Sequence, residues 1–255
     1  MVKFELDGAR ATITIDEPER RNPLTAQAVA DLSRCTHEAN RLPEVRAIVY
    51  TGAGEQAFSA GGDLASGFFD DPIGQHRSRG ALAGLFQAMW TGEKVTIARV
   101  NGHALAGGFG LAVACDITVC VDDAKLGTPE VGVGLWPMMI TVPLLRAAPA
   151  KLVYELMVTG RLITPAEAAT MGLVSRVVAR GELDRAIDEI VAGIAERSPS
   201  AIALGRAAFA AVQGLDPASA LDLLQTGLTA ATMTDDAREG LAAFGEKRSP
   251  AWTGS

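Results

Sequence analysis

The chain has 255 residues, 48% of them hydrophobic and 21% charged. That is enough for one large domain, or a domain with a smaller appendage, and it excludes a disordered polypeptide. Basic residues number 23 against 30 acidic ones, and the net charge of −7 argues against a dedicated nucleic-acid binder, although a local basic patch can still hold a phosphate-rich small ligand.

Ala11-Thr-Ile-Thr-Ile-Asp16 alternates with period two and pairs with Phe4–Leu6 across Asp7-Gly8 as a hairpin. Thr25–Leu42 has apolar residues at helical spacing, with Thr25 as its N-cap. Val45–Thr51 is a continuous apolar run ended by Gly52-Ala-Gly54, the pattern of a strand buried on both faces. Leu82–Trp90 reads as helix, and Val95–Val100 and Ile117–Val121 as further buried strands. Pro165–Met171, Val174–Val178 and Leu183–Ala195 continue the alternation of helix and strand. From Ser198-Pro199 to Phe244 the pattern is wholly helical, with breaks at Gly214-Leu-Asp-Pro217 and near Thr234-Asp-Asp236. An α/β core followed by a helical appendage, packed on the core or on another subunit, is expected.

The N-terminus enters this alternation directly, leaving no room for a signal peptide. No uncharged run reaches the ~18–20 residues that span a bilayer. Cys35, Cys115 and Cys120 show neither disulfide nor metal spacing, and the last two fall in the apolar stretch Leu111–Val121 as buried thiols. A cytoplasmic protein without membrane contact is expected.

Two glycine-rich segments follow strand-like runs: Phe58-Ser-Ala-Gly-Gly-Asp-Leu64 and Asn101-Gly-His-Ala-Leu-Ala-Gly-Gly-Phe-Gly-Leu111. Small residues there let backbone N–H groups face a ligand with no Cβ in the way. Two such groups converging on one oxygen form an oxyanion hole, which points to carbonyl chemistry. Gly107-Gly-Phe-Gly110 lacks the spacing of a dinucleotide-binding loop.

With Ala114-Cys-Asp116, Gly127-Thr-Pro-Glu-Val131, Pro18-Glu-Arg-Arg-Asn22, Leu156-Met-Val-Thr-Gly160 and Phe244-Gly-Glu-Lys-Arg248, these segments resemble the enoyl-CoA hydratase/isomerase (crotonase) superfamily nearly end to end. The resemblance implies a spiral of ββα repeats over residues 1–195 and a helical trimerisation region over 196–255. It also implies a homotrimer or a dimer of trimers acting on an acyl-CoA thioester.

Within the family pattern, Ala60 and Gly107 supply the two oxyanion N–H groups, and Glu130 handles the proton on the substrate's carbon chain. An apolar pocket walled by Trp136 and Met138, with Met139 nearby, would raise the pKa of that carboxylate toward neutrality. The backbone of Ala60, Gly61, Gly62, Asp63 and Leu64 would meet the adenine and pantetheine of coenzyme A. Arg20 or Arg21, and Lys247 from a neighbouring subunit, would meet its phosphates. Asp63 is expected to cap the following helix and Asp116 to support a strand end. His37 falls on a helix surface, His76 in a polar loop and His103 beside the second glycine segment. Pocket depth is expected to depend on Phe68–Gln87, ordering on ligand binding, and on Trp136–Val142. No metal is expected, and no cofactor beyond coenzyme A as substrate carrier.

The chain departs from the hydratase pattern at one position. Hydratases carry a second carboxylate three residues after the oxyanion glycine, and Gly110 stands there. One base suffices to move a proton between carbons, so the residue count favours isomerisation, with impaired or specialised hydration and a distinct CoA-thioester reaction left open. A non-catalytic acyl-CoA-binding or assembly protein is the alternative.

Overall fold

A computed structural model describes residues 1–63 and 72–255. In chain order its strands and helices are β1 (Val2–Asp7), β2 (Arg10–Ile15), α1 (Ala26–Arg41), β3 (Ala47–Gly52), β4 (Ala57–Ser59) and α2 (Pro72–Thr91). There follow β5 (Val95–Val100), β6 (His103–Leu105), α3 (Gly107–Ala114), β7 (Ile117–Val121), β8 (Leu126–Gly127), α4 (Thr141–Ala147) and α5 (Ala150–Thr159). The chain continues through β9 (Leu162–Ile163), α6 (Pro165–Thr170), β10 (Arg176–Val178), α7 (Leu183–Ala195), α8 (Pro199–Ala211), α9 (Pro217–Thr232) and α10 (Asp235–Glu246).

The strands form two sheets. The larger runs β1-β2-β3-β5-β7-β10 and the smaller β4-β6-β8-β9. Three successive segments repeat one pattern: a strand in the large sheet, a short strand in the small one, then a helix. They are β3-β4-α2, β5-β6-α3 and β7-β8-α4. Each is one turn of a ββα spiral. The pairings β2–β3, β3–β5 and β5–β7 are parallel, with Ile48 opposite Thr96 and Ala98 opposite Thr118. Every residue of β3 is buried, as a central strand covered on both faces requires.

Most of the expected elements are found with shifted ends. Thr25 caps α1 by accepting from the Ala28 N–H. The strand expected from Val45 starts at Ala47, and the one expected from Val174 starts at Arg176, because Val174 is buried in the turn after α6. The helix expected over Leu82–Trp90 reaches back to Pro72, so His76 lies on a helix rather than in a loop. Phe68–Asp71 of the stretch expected to shape the pocket fall outside the described residues, and from Pro72 it is helical.

Asp116 is a structural hub. Its Oδ2 accepts from the Thr96 N–H and hydroxyl, each at 2.7 Å, and from Arg206 of α8 at 2.8 Å. Arg206 also donates to the Met89 and Gly92 carbonyls, so a single guanidinium ties the C-terminal helices to the core. Asp116→Ala is expected to cost about 1–3 kcal/mol of unfolding free energy, because it strands donors that are mostly buried. Urea denaturation measures this; an unchanged midpoint would remove the hub role.

Beyond that tie, α8–α10 leave large apolar side chains in the open. Phe209, Leu221, Leu228, Leu241 and Phe244 are exposed. Among the described residues no helix is long and apolar enough to cross a membrane.

Candidate active site at three strand ends

The site is assembled by the small sheet. β4 and β8 flank β6 in parallel, so the ends of all three strands emerge side by side. Those ends lead into Ala60–Asp63, Ala106–Gly107 and Thr128–Glu130. Residues separated by up to seventy positions are thereby delivered to one edge.

Two buried asparagines fix the connection from β3 to β4, from which the first loop departs. Asn22, fully buried with φ 54°, accepts from the Glu17 N–H and donates to the Ala53 and Ala57 carbonyls. Asn101 accepts from the Gly52 N–H at 3.1 Å and donates to the Gly54 carbonyl at 2.7 Å. Gly52 must be glycine, since a Cβ would lie 2.4 Å from the Phe58 carbonyl oxygen.

The loops then meet through small residues. Gly61 has φ +90°, and a Cβ on it would come within 2.7 Å of the Ala106 Cβ and 3.0 Å of the Gly107 nitrogen. Ala106 itself has φ 50°, a left-handed conformation that costs an alanine energy and turns β6 sharply into α3. The Gly107 N–H is in the first turn of α3, where no intrahelical acceptor exists and the helix dipole presents its positive end.

Ala60 is not the partner of that N–H, contrary to expectation. The Ala60 N–H donates to the Arg21 carbonyl at 2.9 Å, so it is not free to hold a ligand oxygen. The neighbouring amide differs. Leu24 donates to the Gly61 carbonyl at 2.8 Å and bridges the loop at Gly62, but the Gly62 N–H has no hydrogen-bond partner among the described residues. It stands 3.8 Å from where a Cβ of Gly107 would be. A Cβ on Gly62 would meet open space.

Glu130 lies in a short 3-10 turn, Pro129–Val133, that starts after Thr128 and follows directly from β8. It is half-buried, and its Oε2 is buried without a hydrogen-bond partner. Burial pushes its carboxyl above the ordinary range, against a smaller opposing effect of a backbone hydrogen bond. The Thr128 hydroxyl is likewise buried and unpartnered. An acid with a raised pKa and an open lone pair, near two unpartnered N–H groups, can move protons next to a carbonyl.

Gly110 lies three residues after Gly107 on the same helix face. The space beside it is filled. A Cβ at Gly110 would stand 2.1 Å from Ile140 Cγ2 and 2.5 Å from its Cβ, and Ile140 is buried.

The remaining expected residues divide. Arg20 sits at the first loop, but its guanidinium is bound to Asp63 at 2.6 Å and to Glu17 at 3.0 Å. Asp63 is therefore held across loops by Arg20, rather than serving only a following helix. Arg21 is exposed beside the same loop with no ion pair among the described residues. Lys247 is exposed at the end of α10, in the layer that contacts α8 and α9. Trp136 packs on the core and against Tyr154, with ring centroids 6.1 Å apart. Met138 is 71% exposed, whereas Met139 packs on the core. Leu64 lies outside the described residues.

His103 is structural, its Nδ1 accepting from the Lys125 N–H at 3.0 Å, and His37 is exposed on α1. All three cysteines are free and buried, and burial pushes the Cys120 thiol up to about 12. Sequence reasoning missed Ile140 and the clamping role of Asn22. Only the glycine inside α3 hinted at the former, since glycine weakens a helix unless something needs its missing Cβ.

A model of the family described as enoyl-CoA hydratase/isomerase matches residues 6–255. A Thermus thermophilus relative, whose name places it provisionally among enoyl-CoA hydratases, is 36% identical over 253 residues, covering 98% of this chain and 99% of its own. Carnitinyl-CoA dehydratase of Escherichia coli is 32% identical over 255 residues, covering 97% of this chain and 96% of its own. The crystal structure of an enoyl-CoA hydratase from Bacillus anthracis superposes with a TM-score of 0.94 at 28% identity, covering 100% of this chain and 99% of that one.

Proposed function

Because the chain belongs to the enoyl-CoA hydratase/isomerase family, whose members process acyl-CoA thioesters, we propose that it converts 3-enoyl-CoA to 2-enoyl-CoA with Glu130 as its single catalytic carboxylate. The observation that carries this reading is Ile140 standing where the side chain of a second carboxylate at position 110 would have to go.

The Gly62 and Gly107 N–H groups receive the thioester oxygen. Proton loss from C2 concentrates negative charge there, and preorganised donors are each worth roughly 2.7–4 kcal/mol. The start of α3 adds its positive end. Glu130 takes the C2 proton and returns it at C4, while the double bond moves from C3–C4 to C2–C3. Hydration would instead need water held in place to deliver hydroxyl to C3 and a proton to C2, a task shared between two carboxylates in hydratases. Arg21, unpaired beside the first loop, is the better candidate for the phosphates of coenzyme A, since Arg20 is neutralised by Asp63 and Glu17.

The exposed apolar residues of α8–α10 support assembly as a homotrimer or dimer of trimers, with residues 196–255 as the oligomerisation region. The test supplies purified protein with 2-enoyl-CoA and 3-enoyl-CoA of several chain lengths. Turnover of the 3-enoyl thioester is expected. Tight acyl-CoA binding with no turnover of either would give the lead to a non-catalytic binder.

A further inference from the structure

We propose that Ile140 is a specificity-determining residue: packed onto Gly110, it closes the seat from which water would be activated and so directs the enolate toward carbon protonation. The proposal rests on the one-carboxylate reading above and names the residue that enforces it.

The contact is unusually close. With Ile140 Cγ2 at 2.1 Å and Cβ at 2.5 Å from the point where a Cβ of residue 110 would be, no side chain fits at 110 while Ile140 stays. Truncating Ile140 to alanine does not clear the clash, because its own Cβ is part of it. Its Cα is 3.5 Å away, an ordinary contact, so glycine at 140 would clear it. The neighbouring residues of both helices are apolar and buried: Phe109, Leu111 and Ala112 in α3 and Leu144 in α4.

The placement matters for the chemistry. Gly110 is one helical turn beyond Gly107, on the same face of α3. Ile140 precedes α4 ten residues after Glu130, and α3 packs on α4. A branched aliphatic side chain there offers no hydrogen bond to a water, and a water in an apolar seat needs two or more polar partners to stay. Proton transfer by Glu130 between C2 and C4 requires no such water. Addition of water across C2–C3 does.

Three variants test this, each read by melting temperature and by initial rates on 3-enoyl-CoA (isomerisation) and 2-enoyl-CoA (hydration). Gly110→Glu alone is expected to melt lower than wild type. Gly110→Glu/Ile140→Gly should recover that loss and raise the hydration-to-isomerisation ratio by about 100-fold or more, the scale of one acid–base group. Ile140→Ala, which opens space without adding a carboxylate, should raise the ratio by a smaller factor.

A Gly110→Glu protein that melts like wild type and hydrates as well as the double variant would overturn the proposal. So would a folded double variant, or a folded Ile140→Ala protein, whose ratio is unchanged while wild type isomerises. A wild-type protein inert toward both substrates would instead overturn the one-carboxylate reading, and this proposal with it.

Discussion

Glu130→Gln is expected to lower kcat on 3-enoyl-CoA by about 10²–10⁴-fold while leaving acyl-CoA affinity within a small factor of wild type. The amide keeps the shape of the carboxylate and removes only its capacity to take a proton. The pH profile carries the second half of the result. Burial raises the Glu130 pKa in the folded protein, and the ionised form is the base. The acid limb of kcat/KM should therefore fall at a pH above the ordinary carboxylate value, and the limb should vanish in Glu130→Gln.

Stability follows with a definite sign. Below the ordinary carboxylate value of 4.5, Glu130 is protonated in both folded and unfolded chains, and burying it costs nothing electrostatic. As pH rises through the unfolded and then the folded pKa, the unfolded chain ionises more readily, and the protein loses stability. Glu130→Gln escapes that loss. Its melting temperature should match wild type in acid and exceed it near neutrality, a stabilisation accompanied by loss of activity. An inactive variant with no such pH-dependent gain would mean that Glu130 is not desolvated as described.

The second large effect separates two adjacent amides. Replacing the Gly61–Gly62 peptide by an ester deletes the Gly62 N–H and weakens the Gly61 carbonyl that accepts from Leu24, a change that bears on stability. It is expected to lower kcat by about 10²–10³-fold, the usual consequence of removing one oxyanion donor. The same replacement at the Ala60 nitrogen should leave kcat near wild type and cost about 0.5–1.5 kcal/mol of stability, because that N–H already serves the Arg21 carbonyl. The opposite pattern would restore Ala60 as the donor.

That distinction shows where the sequence stops being legible. The proposed oxyanion hole was read from the glycine segments, because only small residues let backbone approach a ligand. Which amide is free, however, depends on a carbonyl thirty-nine positions away, at Arg21, and no local pattern encodes it. The buried strands β3, β5 and β7 were legible as continuous apolar runs. The start of α2 was not, since Pro72–Gly80 lacks an apolar stripe and contains two glycines. Glu130 was singled out by its setting after Thr128-Pro129, and its Oε2 is buried without a hydrogen-bond partner. That Met138 is exposed while Met139 packs on the core was not legible, because adjacent methionines cannot be assigned to core or surface without knowing how the turn before α4 runs. At Gly110 the missing carboxylate was readable and Ile140 was not, because their contact joins two elements thirty residues apart.

The most direct test of the single-carboxylate account follows the products from 3-enoyl-CoA in water enriched with heavy oxygen, by mass spectrometry. The first-formed product is expected to be 2-enoyl-CoA with the mass of its substrate and no heavy oxygen, and any hydrated product should appear at least about 100-fold more slowly. Heavy oxygen entering a 3-hydroxyacyl-CoA as fast as the double bond migrates would contradict it.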